Sequence, residues 1–217
     1  MIDYSVAKAI QEETRKKAVF NQDFVSNPKL VAALDVSYKK SKALSAVAVY
    51  NLERGEIVEA KATLIDVKAP YVPGYFFLRE INPLVAVYGL VENKPDVVMI
   101  NGHGYSHPRR AGIATYFGVL LSVPTIGVAR KLLVGEEQCR NERDDTCIVI
   151  DKGEVIGMSV RSHTEKLYVS SGHGVSLETS ISIVKSIIER HGGSLYPMKI
   201  ADLITKRCWA NEQGGKR

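Results

Sequence analysis

The residues best suited to chemistry are concentrated in the stretch 101–110, which contains two glycines, two histidines and two arginines. It follows an apolar run, Val97 to Ile100, that is typical of a strand buried on both faces. It leads into apolar residues at helical spacing, from Ala111 to Leu121. Glycines allow tight turns and close approach to a ligand, and arginines ahead of a helix suit a phosphate. Because ligands of open α/β sheets bind beyond the carboxyl ends of strands, this stretch predicts a ligand site. A plain Asn-Gly turn with a non-catalytic histidine is the structural alternative.

Side-chain oxygens that could bind a metal stand on several predicted elements. Asp35 closes a predicted strand that begins at Leu30, although Asp is depleted in strands and costly to bury without a partner. The other members are Asn101 at a strand end, Glu80 in a predicted helix over 75–91 and Asp202 in the last predicted helix. Hard cations such as Mg²⁺ take oxygen ligands and are shared with phosphate, so the set favours metal-dependent phosphodiester chemistry. Some acids end strands by chance, and an exposed helix charge is the structural alternative for Asp202.

The rest of the chain predicts the elements that must position these residues. Apolar residues at Val6, Ile10 and Phe20 predict an amphipathic helix over 3–20. We predict hairpins over 43–64 and 147–160, strands over 123–128 and 167–170, an exposed polar loop over 136–145, and helices over 176–190 and 197–206. This alternation predicts one mixed α/β domain over 1–217, with a single sheet and helices on both faces. We expect 1–29 to form an N-terminal helix and linker, and 207–217 a frayed tail.

The composition limits the class of protein. A chain of 217 residues suits one domain with a full core. Its 29 basic and 24 acidic side chains give a net charge of +5, a mild attraction to polyanions that is not by itself a nucleic-acid signature. Cys139, Cys147 and Cys208 lack paired metal spacing, and their odd number fits a reducing compartment. With no apolar run of transmembrane length and no signal peptide, we expect a soluble cytoplasmic protein.

Four motifs together resemble the endonuclease V family. They are Val31–Tyr38 around Asp35, Pro70–Pro73 followed by Leu78–Glu80, Asn101–Arg109, and Pro124–Arg130, and they follow the family's order between about residues 30 and 206. The resemblance implies a ribonuclease H-like fold and a phosphodiester hydrolase of the deoxyribonuclease V type. Such an enzyme uses Mg²⁺, or Mn²⁺ as a substitute, to nick a strand at the second phosphodiester bond 3′ to a deaminated base such as inosine.

The partner implied by the resemblance is DNA that contains deoxyinosine or other deaminated bases, in the context of DNA repair. Inosine-containing RNA is a further candidate substrate. We expect the protein to act as a monomer.

The resemblance also assigns roles to individual residues. It implies that Asp35, Glu80 and Asn101 bind the metal, with Asp202 and Arg130 completing the catalytic set. Tyr71 resembles a wedge that fills the gap left by a flipped base, held stiff by Pro73 and a second proline. A core tyrosine is the structural alternative for Tyr71. The implied substrate contacts are Gly102, Gly104, His107 and Gly112 around the extruded base, together with Arg109 and Lys131.

This chain departs from the family's pattern at two positions. Asn101 stands where the family has Asp, and an amide oxygen can coordinate Mg²⁺ but carries no charge, so metal binding and catalysis should be weakened. A difference of lineage and an alteration that traps substrate are both compatible with Asn101. Arg130 stands where the family commonly has Lys, and the two cations are not equivalent. The rival interpretations are an inosine-binding module with little catalysis, and another ribonuclease H-like nuclease that recognises structure instead of a base.

Overall fold

A nine-stranded sheet forms the centre of the computed structural model of this protein. The structure describes residues 4–67, 72, 74–141 and 144–214. The strands are β1 (Leu30–Lys39), β2 (Lys42–Asn51), β3 (Glu56–Asp66), β4 (Val97–Asn101), β5 (Thr125–Ala129), β6 (Glu136–Gln138), β7 (Thr146–Asp151), β8 (Glu154–Arg161) and β9 (Lys166–His173). The helices are α1 (Tyr4–Lys17), α2 (Phe77–Tyr88), α3 (Ile113–Leu121), α4 (Leu177–Arg190) and α5 (Tyr196–Gly214). The strand order is β3-β2-β1-β4-β5-β9-β8-β7-β6.

At the centre of the sheet, three neighbouring strands run in parallel, so their carboxyl-terminal parts lie at the same end of the sheet. We call this end the edge of the sheet. β1 pairs with β4 and β4 pairs with β5, in both cases in parallel, whereas the outer strands pair antiparallel. By this register, Asp35, Asn101 and Val128 lie side by side across β1, β4 and β5. Both predicted hairpins and the predicted mixed sheet are confirmed.

Alternate residues of the central strands pack against different helices, as the period of two requires. Ala33 and Met99 belong to a core that includes Val184 and Ile187 of α4, and α5 covers the same face. Leu34, Val98 and Ile100 belong to a second core with α1, α2 and α3 on the opposite face. Helices therefore pack on both faces of the sheet, and alternate residues of each central strand face different helices.

Several predictions about local structure were wrong. The predicted polar loop over 136–145 contains the short edge strand β6, and Cys139 is joined to Cys147 by a disulfide, so two of the three cysteines are not free thiols. The first helix buries Ala7, Gln11 and Thr14, whereas Val6 is 53% exposed, because the stripe that meets the core begins one residue later than its apolar residues suggest.

A further prediction that was wrong concerns the end of the chain. A frayed tail was predicted from residue 207, but α5 continues to Gly214. Trp209 explains part of the extension, since its indole N–H donates to Ser37 Oγ at 2.6 Å and Lys39 lies over its ring. Among the described helices, none combines the length and apolar character needed to cross a membrane.

The contact between Trp209 and β1 gives a test of the longer α5. Trp209→Ala should lower the melting temperature by roughly 3–8 °C, because it removes a half-buried ring and a hydrogen bond worth about 1–3 kcal/mol in total. Removal of residues 215–217 is the matched control and should change nothing. Equal melting temperatures for the parent and Trp209→Ala, measured by circular dichroism, would favour the frayed tail.

Candidate active site

Asp35 and Asn101 lie side by side where the parallel pairing of β1 with β4 ends. Asn101 is the last residue of β4, whereas Asp35 lies within β1, which continues to Lys39 and is longer than the sequence predicted. Leu34 is paired with Ile100 in the parallel register, so the next residue of each strand falls at the same level. The Asn101 amide donates to Asp35 Oδ1 at 2.6 Å. Both residues share the parity of Ala33 and Met99, so their side chains lie on the sheet face that α5 covers.

Asp35 is only 4% exposed, and its surroundings disfavour its charge. Burial raises the pKa of the Asp35 carboxyl, the hydrogen bond from Asn101 lowers it, and the nearby charge of Asp202 raises it. Asp202 comes from α5, where its own carboxylate accepts from Lys206 at 2.6 Å. The structure therefore brings the predicted residues Asp35, Asn101 and Asp202 together, from two strands and the last helix.

Glu80 approaches the same strand end from the opposite face of the sheet. It lies on α2 and is 4% exposed. Burial raises the pKa of Glu80 well above its ordinary value; a hydrogen bond with Tyr38 lowers it and the charge of Asp35 raises it. Arg79 stacks on the Tyr38 ring at 4.1 Å, which places one cation near this pair. Two buried carboxyls thus lie near each other at β1, and the charge of Asp35 disfavours the ionisation of Glu80.

A divalent cation fits this set of donors. Carboxylate and amide oxygens are the ligands of hard cations, and a positive ion would favour the ionised forms of Asp35 and Glu80 that burial disfavours. Within the described ranges, however, these acids with Asp202 do not form a compact cluster. The one group of acidic, histidine or cysteine ligand atoms found within 4.8 Å of one another is Glu137, Cys139 and Cys147, whose sulfurs are bonded together.

The loop after β4 forms a cavity of about 430 Å³ on the α2 side of this edge. Glycine is required where the loop meets its neighbours: a Cβ on Gly112 would lie 2.1 Å from the His103 carbonyl oxygen, and one on Gly104 would lie 2.2 Å from that of Ser171. The backbone N–H of Gly104 also donates to Ser170 Oγ at 3.0 Å. Predicted pocket residues Gly102, His107 and Gly112 line this cavity, whereas Gly104 braces the loop from behind.

Two histidines of this cavity are neutral at physiological pH. Burial lowers the pKa of His103 to about 4. Burial and the charge of Arg109 lower the pKa of His107 to about 3. In the part of the chain that the structure describes, His103 Nδ1 is buried without a hydrogen-bond partner. A buried polar atom that lines a cavity and lacks a partner suits a ligand with its own donors and acceptors, such as a base edge.

Arg109 holds the wall of the cavity. Its Nε donates to Gln11 Oε1 and its Nη2 to the Gly74 carbonyl, both at 2.6 Å, and its guanidinium lies over the Tyr75 ring at 4.5 Å. Gln11 in turn donates to the carbonyls of Gly74 and Ala111, each at 3.1 Å. These hydrogen bonds of Arg109 are made within the protein, so Arg109 and Gln11 form a frame that supports the cavity.

Arg110 anchors the loop from the other side. It adopts a left-handed φ of 54° and is 7% exposed. Its guanidinium forms ion pairs at 2.8 Å with Asp151 and with Glu154, and Glu154 also accepts from Tyr105. Sequence reasoning missed Gln11 and the partners of Arg110. The only local signal was a polar Gln at helical spacing from Ala7 and Thr14, on what became the buried stripe of α1.

The remaining predicted residues fall at the rim or outside the described residues. Arg130 and Lys131 follow β5, are exposed, and line the 430 Å³ cavity together with Leu132 and Leu133. The predicted wedge, Tyr71, and its neighbour Pro73 lie outside the described residues, so their roles stay predictions.

Comparison with known proteins places this geometry in context. A sequence profile of the endonuclease V family matches residues 12–203. Endonuclease V of the cyanobacterium Rippkaea orientalis is 38% identical over 190 residues, which cover 85% of this chain and 82% of that protein. The catalytic domain of human endonuclease V has a TM-score of 0.85 at 27% identity, covering 97% of each chain. Ciona intestinalis endonuclease V, crystallised with DNA that contains inosine, has a TM-score of 0.81 at 29% identity, covering 96% of this chain and 99% of that one. These likenesses confirm the predicted fold class.

The raised pKa of Glu80 predicts how stability depends on pH without metal. The folded state binds this proton more tightly than the unfolded chain, whose carboxyl has a pKa of 4.5. The contribution of Glu80 is therefore fully present below that value and is lost as pH rises through the folded pKa. In EDTA, the melting temperature should fall by several degrees as the pH rises above about 5, through the raised pKa of the folded state.

Glu80→Gln should make this fall shallower, although Asp35 contributes in the same direction and some slope should persist. Glu189→Gln, on the exposed part of α4, is the control and should keep the parent slope. The melting temperatures are measured by differential scanning fluorimetry. If they depend on pH identically for Glu80→Gln and the parent, the pKa of Glu80 is not raised in the folded protein.

Proposed function

This chain belongs to the endonuclease V family, and on that premise we propose that it is a metal-dependent endonuclease acting on inosine in DNA. It hydrolyses the second phosphodiester bond 3′ to the deaminated base, leaving a nick that starts repair. Membership of this family identifies the chain as a nuclease and a hydrolase. Support for the substrate comes from the Ciona relative, which was crystallised with inosine-containing DNA.

The observation that carries the proposal is the position of the Asp35–Asn101 pair at the rim of the cavity lined by His103 and His107. A base can enter the cavity only if it leaves its stack, and the sugar-phosphate backbone then crosses the edge of the sheet. That path brings a phosphate 3′ to the base toward Asp35. The neutral histidines can donate to or accept from the base edge without attracting phosphate, so recognition and chemistry use separate groups.

Asp35, Glu80 and the Asn101 side-chain oxygen would hold Mg²⁺, or Mn²⁺ in its place, with Asp202 close by. When bound there, the cation would polarise the phosphate and lower the pKa of a water molecule. Asp35 and Glu80, both buried, would position that water. Arg130, exposed at the end of β5, meets the phosphate charge, and Lys131 extends the positive rim. Tyr71 would fill the space left by the flipped base.

An inosine-binding module with little catalysis is the second candidate. The specific observation in its favour is the neutral Asn101, whose amide donates to Asp35 and so satisfies that carboxylate without a cation. A nicking assay separates the candidates: strands with inosine and matched strands with adenosine, as DNA and as RNA, each with Mg²⁺ and with Mn²⁺. Cuts restricted to inosine strands support the proposal. Tight inosine binding without cuts supports the module, and cuts that ignore inosine support a nuclease that recognises structure.

Asn101→Asp should raise Mg²⁺-dependent nicking by about a hundredfold or more and change binding little. The added charge acts on the metal and on the developing charge of the transition state, more than on docking. Asp35→Ala should abolish cleavage in both backgrounds, because Asp35 is the one carboxylate of β1 and a carboxylate at position 101 cannot take its place. Equal rates for the parent and Asn101→Asp in single-turnover assays would remove position 101 from the metal site.

Tyr71→Ala should weaken binding to inosine duplexes by about ten- to a hundredfold, because a stacked ring is worth roughly 1–3 kcal/mol per base. Tyr71→Phe keeps the ring and should lose little. Affinity for inosine duplexes and melting temperature are measured for both variants. A core tyrosine would give the reverse pattern: Tyr71→Ala would melt several degrees lower and bind all nucleic acids equally poorly.

A further inference from the structure

A second cavity, of about 610 Å³, lies on the other face of the sheet edge. Its walls come from the end of β5, the segment between β8 and β9, the connection between α4 and α5, and the first turns of α5. Asn101 and Arg130 line both this cavity and the 430 Å³ cavity, and Asp202 lines this one. The metal-binding edge therefore separates two cavities and borders each of them.

The walls of the second cavity are joined by hydrogen bonds, so its shape exists before any ligand enters. Ser162 donates to the Gly193 carbonyl at 2.6 Å, and the backbone N–H of Leu195 donates to Glu165 Oε1 at 2.6 Å. His191 is fixed between two tyrosines: its Nε2 lies 2.8 Å from the hydroxyl of Tyr50, and its ring stacks on Tyr196 with centroids 4.4 Å apart. The volume of the cavity is within the range of small-ligand sites, about 300–1,000 Å³.

The charges of this cavity suit an anion. Its two acids are engaged, Glu165 by the backbone of Leu195 and Asp202 by Lys206. Its two cations, Arg130 and Lys199, are exposed, and in the described ranges neither forms an ion pair. A ligand that carries phosphate would supply the missing negative charge.

We infer that this cavity binds the sugar and phosphate of the nucleotide on the 3′ side of the cut, with Lys199 contacting the phosphate beyond it. The inference rests on the proposed function, because that function fixes the direction of the strand. The base occupies the 430 Å³ cavity and the cut lies 3′ to it, at the Asp35–Asn101 edge. A strand that continues past this edge meets the 610 Å³ cavity next, since Asn101, Arg130 and Asp202 form its nearest wall.

The test compares Lys199→Ala with Lys94→Ala, which removes an equal charge from an exposed site just before β4, at the opposite edge of the sheet. Lys199 is exposed, so its loss should leave the melting temperature unchanged. Affinity is measured by fluorescence anisotropy in Ca²⁺ for two single strands with inosine. One ends with the nucleotide immediately 3′ of the cut, and the other continues for about six nucleotides more. Each is matched by a strand with adenosine.

On the longer strand, Lys199→Ala should weaken binding about three- to tenfold, and the slope of log affinity against log salt should fall by about 0.7. Lys199→Arg should restore both. On the shorter strand, which lacks the next phosphate, Lys199→Ala and Lys94→Ala should bind equally. Identical affinities and salt slopes of these two variants on the longer strand would overturn the inference, as would an equal loss on both strands. If the protein prefers inosine strands but Lys199→Ala does not change binding, this inference alone fails. If the parent protein does not prefer inosine strands, the proposed function fails first.

Discussion

The parallel pairing of β1 with β4 is the constraint on which the site depends. The register that sets Leu34 beside Ile100 also sets Asp35 beside Asn101 and turns both toward α5. A shift of one residue in either strand would move that side chain to the opposite face. Burial of alternate residues on both faces prevents such a shift, since Ala33 and Leu34 are fully buried in different cores. The chemistry at the edge is thus fixed by apolar packing within the sheet.

Charge balance is the second feature that determines what this edge can do. Asp35 and Glu80 are buried from opposite faces; burial raises the pKa of both carboxyls, and the charge of Asp35 raises the pKa of Glu80 further. The amide of Asn101 relieves Asp35 by donating a hydrogen bond, which a carboxylate at 101 could not do when ionised. A second carboxylate would repel Asp35 and would need a cation between them. The hydrogen bond from Asn101 therefore makes Asp35 less dependent on a cation for its stability. In the proposed function, the same missing charge would weaken metal-assisted catalysis.

Much of this arrangement could be predicted from the sequence, because its signals are local. Asp35 and Asn101 end apolar runs, which already predicts neighbouring strand ends, and the glycine-rich stretch after Asn101 predicts a cavity at the same edge. The frame of the cavity could not be predicted in this way. Gln11 meets the Ala111 carbonyl across 100 residues of sequence, and Arg110 meets Glu154 across 44. Contacts of this kind follow from the packing of whole elements, and a polar residue on a buried stripe is their only local trace.

The most direct test of the central claim is the location of a bound cation. Crystals grown with Mn²⁺ and measured at the manganese absorption edge would place the ion by anomalous scattering. Our account predicts one strong peak between Asp35, Glu80 and the Asn101 side-chain oxygen, within about 2.5 Å of at least two of their oxygens. No peak there under conditions that support nicking, or a peak only beside Glu137 and the Cys139–Cys147 pair, would contradict it.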